Sequence, residues 1–218
     1  MDCVPQDDNA FAEYGTFCHE LLEAWATGEM LSFELSDAYT RLFDDMIRHS
    51  FPPFPIGMGQ RYYDAGLAYF NGFNGFGDQY RILAVEDRFV LDVHGNPFVG
   101  VVDLVMEDPQ GDLVVVDHKS KSAKAMRNQK DTYTRQLYLY ATAVKTKFGQ
   151  YPTRLAFNLF RDGDWMEEAF DTLKLHDTLG WVSETIQTIL ADKLWEARPS
   201  DYFCRFVCSS CTHCPIMK

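Results

Sequence analysis

The segment from Phe98 to Lys119 constrains the fold of this chain most strongly, because two apolar stretches flank a strong turn sequence. Residues Val101–Met106 and Leu113–Val116 are rich in β-branched and other apolar side chains, which is typical of buried strands. Between them, residues 108–111 read Asp-Pro-Gln-Gly, which fits a type I turn followed by a left-handed glycine. The sequence therefore predicts a β-hairpin with a three-residue loop.

The length of this loop decides which charged side chains share a face of the hairpin. With a loop of residues 109–111, Asp103 lies directly opposite Asp117, and Lys119 projects from the same face. A two-residue loop would separate these groups. Unpaired buried charges are costly, so two interpretations are open. One is a structural ion pair among the three side chains. The other is a site for a hard divalent cation, which carboxylates bind well.

These residues resemble the acidic motif of the PD-(D/E)XK nuclease superfamily. Asp103 takes the first acidic position, with Val102 where a proline often stands, and Asp117-His118-Lys119 takes the (D/E)-x-K triplet. The similarity is strongest to RecB-type exonucleases, which include CRISPR-adaptation and phage nucleases. It implies an α/β fold with a restriction-endonuclease-like core, in which helices flank a mixed central sheet. It also implies that Asp103, Asp117 and the main-chain carbonyl of His118 bind Mg²⁺ or Mn²⁺, with Lys119 as a catalytic residue.

Two predicted helices carry motifs that extend the resemblance. Apolar side chains recur every three or four residues in Phe11–Ala26, where a Gly-x-x-x-His-Glu pattern ends at His19 and its neighbour. The equivalent histidine of RecB-type nucleases binds the metal, although a lone histidine is more often a boundary residue. The predicted helix Thr132–Phe148 presents Gln136 and Tyr140 on one face. In that family such a pair supports the catalytic site and contacts DNA; the alternative is simple packing.

Charge is distributed unevenly along the chain. The net charge is −12, yet residues 119–135 contain six basic side chains and a single acid, Asp131. This segment is either a solvated surface, as charge runs usually are, or a phosphate track beside the predicted metal site. Glu86, in a predicted strand Tyr80–Leu91, is either a further acid of that site or a surface residue. The phenylalanines of residues 71–77 lie in a predicted turn-rich loop, where they could stack on bases.

The cysteines predict a second metal centre at the C-terminus. The six cysteines are Cys3, Cys18, Cys204, Cys208, Cys211 and Cys214. The C-x₂-C-x₂-C-Pro spacing of the last three is typical of iron–sulfur ligation, and four close thiolates could also hold zinc. Many RecB-type nucleases fix their C-terminus with a 4Fe-4S cluster, so the resemblance favours iron. Either Cys3 or Cys18 joins three of the tail cysteines, or the tail cysteines ligate alone.

The sequence as a whole predicts one nuclease domain, with a mostly helical part in residues 1–80, a core in 81–200 and a cysteine tail in 201–218. The resemblance to RecB-type nucleases implies the function of a DNA exonuclease that acts on single-stranded or free-ended DNA in recombination, repair, or phage or CRISPR processing. Protein partners in such a complex are possible. The alternatives are a non-catalytic DNA-end-binding subunit and a zinc-stabilised interaction protein. Neither an apolar run of about 20 residues nor a signal pattern is visible, so we expect an intracellular, cytoplasmic protein without membrane contact.

Overall fold

A computed structural model of the chain describes residues 9–93, 95–194, 196 and 200–208. Cys3, Cys211 and Cys214 lie outside these residues, as does most of the predicted tail. The described part contains a five-stranded mixed sheet with helices packed against it. This arrangement confirms the predicted α/β fold class.

The described residues form seven α-helices and five strands. The helices are α1 (Ala10–Ala26), α2 (Leu35–Met46), α3 (Met58–Gly72), α4 (Ala123–Asn128), α5 (Lys130–Phe148), α6 (Thr172–Ala191) and α7 (Asp201–Phe206). The strands are β1 (Arg81–Val93), β2 (Asn96–Glu107), β3 (Leu113–His118), β4 (Arg154–Leu159) and β5 (Asp164–Ala169). Each of α4 and α7 spans only 6 residues, too few for a periodic apolar pattern to be recognised. Helix α6 begins at Thr172, where the Asp171 carboxylate caps it by accepting the Leu173 amide.

The sheet has the order β1-β2-β3-β4-β5, in which only β3 and β4 are parallel. The β2–β3 hairpin has the predicted loop. The Gly111 amide donates to the Asp108 carbonyl at 3.0 Å, and Gly111 has φ +86°. Leu104 pairs with Val116, so the register continued by one residue places Asp103 opposite Asp117. The predicted hairpin and its register are therefore confirmed.

Helices cover both faces of the sheet. Helices α5 and α6 pack on the face that carries Val105 and Val115, whereas the end of α1 and the loop after α3 cover the face of Val114 and Val116. An aromatic cluster joins α1, α2 and α3 to each other and to Phe160 at the end of β4. The site-bearing hairpin is thereby held between two independent apolar cores.

Helices α2 and α3 approach each other closely at Gly66. A Cβ atom at this position would lie less than 3.0 Å from atoms of the Tyr39 side chain. Tyr39 is fully buried and donates a hydrogen bond to the Tyr63 carbonyl at 3.1 Å. Glycine is therefore required here for helix packing and not for an unusual backbone angle.

The start of α1 lies beside the segment that follows α7. The Asn9 side chain donates to the Val207 carbonyl at 3.0 Å, and the same side chain caps α1 by accepting from the Phe11 and Ala12 amides. One residue therefore organises the helix N-terminus and its contact with the residue before Cys208. None of the helices in the described ranges combines the length and apolar character of a membrane-spanning segment.

Candidate metal centre

Helix α1 brings His19 to the end of the central hairpin. The His19 Nε2 atom lies 2.9 Å from the His118 carbonyl oxygen. On the other side of the ring, Nδ1 lies 3.6 Å from Asp103 Oδ2 and 3.9 Å from Glu86 Oε1. The imidazole thus lies near three oxygen atoms from three strands, which brings together His19, Asp103 and the His118 carbonyl.

Asp103 is a buried carboxylate held by the main chain of the neighbouring strand. Its Oδ2 atom accepts the His118 amide at 2.7 Å. Burial, followed by the neighbouring Asp117 carboxylate, raises the pKa of Asp103 to about 7, against the opposing effects of His19 and the His118 amide. Such a group holds a proton near neutral pH unless a cation offsets its charge.

Asp117 is fully buried and forms an ion pair with Lys119. The Lys119 Nζ atom donates to Asp117 Oδ1 at 2.8 Å. It also lies 2.6 Å from Oδ2, but Oδ2 has no hydrogen bond of acceptable geometry. Burial raises the pKa of Asp117 above its usual range, although Lys119 lowers it in part. This buried carboxylate oxygen therefore keeps bonding capacity that a cation could use.

Glu86 also belongs to this group. The sequence left open whether it is an acid of the site or a surface residue. It lies between the pairs Val85–Leu104 and Asp87–Val102, and so faces Asp103 across β1 and β2. Its φ of +45° is the only positive value among the described residues other than glycine. Left-handed backbone is uncommon for glutamate and concentrates at functional sites. The sequence contains no turn signal that would reveal this kink inside a long strand.

The donor set suits a hard divalent cation. One ligand atom each from His19, Glu86 and Asp103 lie within 4.8 Å of one another. The His118 carbonyl lies beside them, and Asp117 is on the adjacent strand. Carboxylate and carbonyl oxygens with one imidazole are ligands for Mg²⁺ or Mn²⁺ more than for softer metals. The described residues therefore fit such an ion. In this structure Asp117 forms its ion pair with Lys119.

The electrostatics of His19 follow from this setting. Burial alone would lower the pKa of His19, but the nearby carboxylates of Glu86, Asp103 and Asp117 raise it above the usual value. The carboxylates around the ring therefore favour its protonated form. A divalent cation would compete with that proton.

Gln136 and Tyr140 are brought together on α5, as their spacing predicts. The Gln136 side chain donates to the Tyr140 hydroxyl. Burial, followed by the charges of Asp117 and Asp103, raises the pKa of Tyr140. Tyr140 therefore remains a neutral hydroxyl close to the carboxylates, and Gln136 orients it.

The ring of His118 lies on the other face of the sheet from Asp117, so only its main chain takes part in the donor group. Asn158 Nδ2 lies 3.1 Å from the ring Nδ1, and the Phe76 ring stacks on it. Burial, followed by repulsion from His19, lowers the pKa of His118 well below its usual value. The ring is a neutral, buried part of the core.

The basic side chains of residues 119–135 are less available to an anionic ligand than the composition suggests. Three of these cations form ion pairs with acids that are either part of the donor group or on β5. The pairs are Lys119 with Asp117, Arg127 with Asp164, and Lys130 with Glu168. The positive charge of this segment is therefore partly neutralised within the fold, which sequence distance alone could not show.

The comparison with protein families agrees with this geometry. The family model described as the PD-(D/E)XK nuclease superfamily matches residues 2–217. A search among curated proteins gives no significant match. The match covers nearly the whole chain, including α1, the hairpin and α5. We conclude that this chain belongs to the PD-(D/E)XK nuclease superfamily.

Proposed function

We propose that the protein is a Mg²⁺- or Mn²⁺-dependent deoxyribonuclease that hydrolyses phosphodiester bonds. The observation that carries this proposal is the convergence of His19, Glu86 and Asp103 beside the His118 carbonyl, next to the Asp117–Lys119 pair. A structural ion pair would leave no reason for a left-handed glutamate and an incompletely bonded buried carboxylate at the same place.

The side chains of the centre divide into two groups. His19, Glu86, Asp103, Asp117 and the His118 carbonyl would hold the cation. When bound, the cation would lower the pKa of a water molecule and offset negative charge on the phosphate. Lys119 would donate to the attacking water or to a phosphate oxygen, because its ammonium group already lies in the site beside Asp117. Tyr140, oriented by Gln136, would donate to a phosphate oxygen of the DNA strand.

The finer assignment follows the RecB-type resemblance. The motifs His19, Asp103, Asp117-His118-Lys119 and Gln136 with Tyr140 support an exonuclease that acts on single-stranded or free-ended DNA. Residues 1–218 would form one nuclease domain, with roles in recombination, repair, or phage or CRISPR DNA processing.

The decisive experiment is digestion of end-labelled single-stranded DNA with Mn²⁺, compared with a reaction containing EDTA. We expect cleavage only with the metal, and a loss of at least about a hundredfold in Asp117→Asn, because the buried carboxylate then loses its charge. Asp37→Asn, at an exposed position on α2, is the matched control and should cleave at the wild-type rate. A folded wild-type protein that cleaves no DNA with either Mg²⁺ or Mn²⁺ would show that the proposal is wrong.

We also propose a structural 4Fe-4S cluster held by tail cysteines. Cys204 and Cys208 are half-buried, and the Asn9–Val207 hydrogen bond places the start of α1 beside Cys208. Cys18, in contrast, is fully buried in the aromatic cluster, about 13 Å further along α1 at 1.5 Å per residue. This arrangement supports Cys3 as the N-terminal ligand, with zinc as the alternative metal.

A further inference from the structure

A row of three side chains crosses strands β3, β4 and β5, and it begins at His118, the residue after Asp117. His118 pairs with Asn158 across β3 and β4, and Asn158 pairs with Trp165 across β4 and β5. Directly opposite residues share a face of a sheet, and successive residues alternate between faces. The row therefore lies on the face opposite Asp117 but starts at the very next residue of the chain.

A cleft of about 350 Å³ opens above this row. Its walls are α3, the loop that follows α3, and the turn between β4 and β5. The side chains and backbone that shape it are mainly aromatic or glycine: Tyr69, Phe76, Asn158, Gly163 and Trp165. Its volume falls in the range of about 300–1,000 Å³ that is usual for small-ligand pockets.

The aromatic rings of the cleft are already stacked on the core. The Phe76 ring lies 5.9 Å from the His118 ring with an interplanar angle of 18°, and 5.3 Å from the Trp165 ring. Trp25 packs against Phe76 at 5.4 Å and holds it in place. Trp165 is 37% exposed, so it is the part of the stack that a ligand can reach.

Polar contacts fix the floor of the cleft. Asn158 is 3% exposed, and its Nδ2 donates to the Tyr69 hydroxyl at 2.8 Å while lying 3.1 Å from His118 Nδ1. At the rim, Asp164 forms an ion pair with Arg127 at 2.8 Å, so its charge is offset where an anionic chain would pass. Hydrogen bonds thus hold the floor of the cleft in place, and Arg127 offsets the charge of Asp164 at its rim.

The cleft and the candidate metal centre lie on opposite faces of the sheet at the same end of β3, and His118 lies between them. The carbonyl oxygen of this residue lies 2.9 Å from His19 Nε2, and its ring is covered by Phe76. A phosphate in the metal centre would thus be separated from the cleft by one residue. This short separation, together with the exposed Trp165 ring, suits a planar aromatic occupant that adjoins a phosphate.

We propose that this cleft binds one unstacked nucleobase of the DNA strand, next to the phosphate that is cleaved, with Trp165 as its stacking surface. The proposal rests on the proposed nuclease function and adds the subsite that selects its substrate. A base inside a duplex is covered on both faces by its neighbours, whereas a base in a single strand offers a free π-face. The cleft therefore favours single-stranded or frayed DNA. It recognises the base by stacking, which all four bases share.

The first test uses the wild-type protein and single-stranded oligonucleotides in which one nucleotide near the cleaved bond is abasic. Cleavage with Mn²⁺ is measured for each position of the abasic nucleotide. We expect the KM to rise about tenfold when the abasic nucleotide adjoins the cleaved bond, with kcat nearly unchanged, because one base stack is lost from binding. A KM that does not depend on the position of the abasic nucleotide would overturn the proposal.

The second test measures binding in EDTA, where cleavage cannot occur, by fluorescence anisotropy of a labelled single strand. Trp165→Ala should raise the Kd about tenfold, and Trp165→Phe should restore most of the affinity. Trp181→Ala is the matched control, because Trp181 is 39% exposed but lies on α6 against Arg135. Equal affinity of the two alanine variants for DNA would contradict the proposal.

The two tests separate this proposal from the nuclease assignment. A wild-type protein that cleaves DNA but shows neither effect would refute the base-binding cleft alone. A protein that never cleaves DNA would refute the nuclease function, while the binding experiment would still decide whether Trp165 stacks on a base. Melting curves of each variant show whether a lost signal comes from unfolding.

Discussion

At the scale of single residues, the raised pKa of Asp103 links the metal site to stability. Burial and Asp117 raise this pKa to about 7 in the folded protein, from an ordinary value of 3.8. The metal-free protein therefore loses stability as the pH rises from about 4 to 7, because unfolding releases the proton that the folded state retains. Asp103→Asn removes this penalty. We expect the free energy of unfolding of this variant in EDTA, relative to that of the wild type, to rise over this range by at most about 1.4 kcal/mol per pH unit and then to level off.

The same variant should lose the stabilisation that Mn²⁺ gives to the wild type, since it lacks one ligand charge. Thermal melts at several pH values, with Mn²⁺ or EDTA, measure both effects. Asp37→Asn, at an exposed site, controls for the general change in net charge. If the difference in melting temperature between Asp103→Asn and the wild type does not change with pH, Asp103 does not carry the raised pKa.

Some residues of the site could be predicted and others could not, for a physical reason. The pairing of Asp103 with Asp117 depends on a local turn, whose sequence from Asp108 to Gly111 determines the loop length. His19 became a candidate only through its motif, because its partner His118 lies 99 positions away. The placement of Glu86 depends on a left-handed backbone within β1 that no propensity encodes.

At the scale of elements, the contact between α2 and α3 should be intolerant of any added side chain. Gly66→Ala would force its new methyl group into the fully buried Tyr39 ring, and we expect it to destabilise the protein by about 1–3 kcal/mol. Gly180, in the middle of α6, has no atom within 4 Å of an added Cβ. Gly180→Ala should therefore stabilise the protein by up to about 1 kcal/mol. Chemical denaturation of both variants provides the measurement, and a neutral Gly66→Ala would mean that the two helices can move apart.

Helices and strands with a clear apolar period could be predicted from the sequence. Contacts between distant elements could not. Helix α1 and the hairpin agree with the sequence prediction because period and turn chemistry are local signals. The basic segment looked like a free phosphate track, but Arg127 and Lys130 form ion pairs with Asp164 and Glu168 of β5. Those contacts depend on the parallel placement of β3 beside β4, which brings β5 near α4 and α5.

At the scale of the whole molecule, the two ends of the described chain meet at Asn9 and Val207. After anaerobic purification, we expect the wild-type protein to contain iron and to absorb in the visible range, and Cys208→Ser to lose both and to melt at a lower temperature. Cys18→Ala is the control that should retain its iron, because Cys18 is enclosed in the aromatic cluster. A purified protein that contains zinc and no iron would show that the alternative metal occupies this site. Iron retained in Cys208→Ser would show that Cys208 is not a ligand.

The contact between His19 and His118 has a consequence for inhibition. It joins α1 to the hairpin, and α1 supplies the only imidazole of the described donor group. A small molecule wedged between α1 and the sheet would withdraw that imidazole while leaving Asp117 and Lys119 untouched. Such an inhibitor would not compete with the DNA strand, and its potency would fall as the concentration of the metal ion rises.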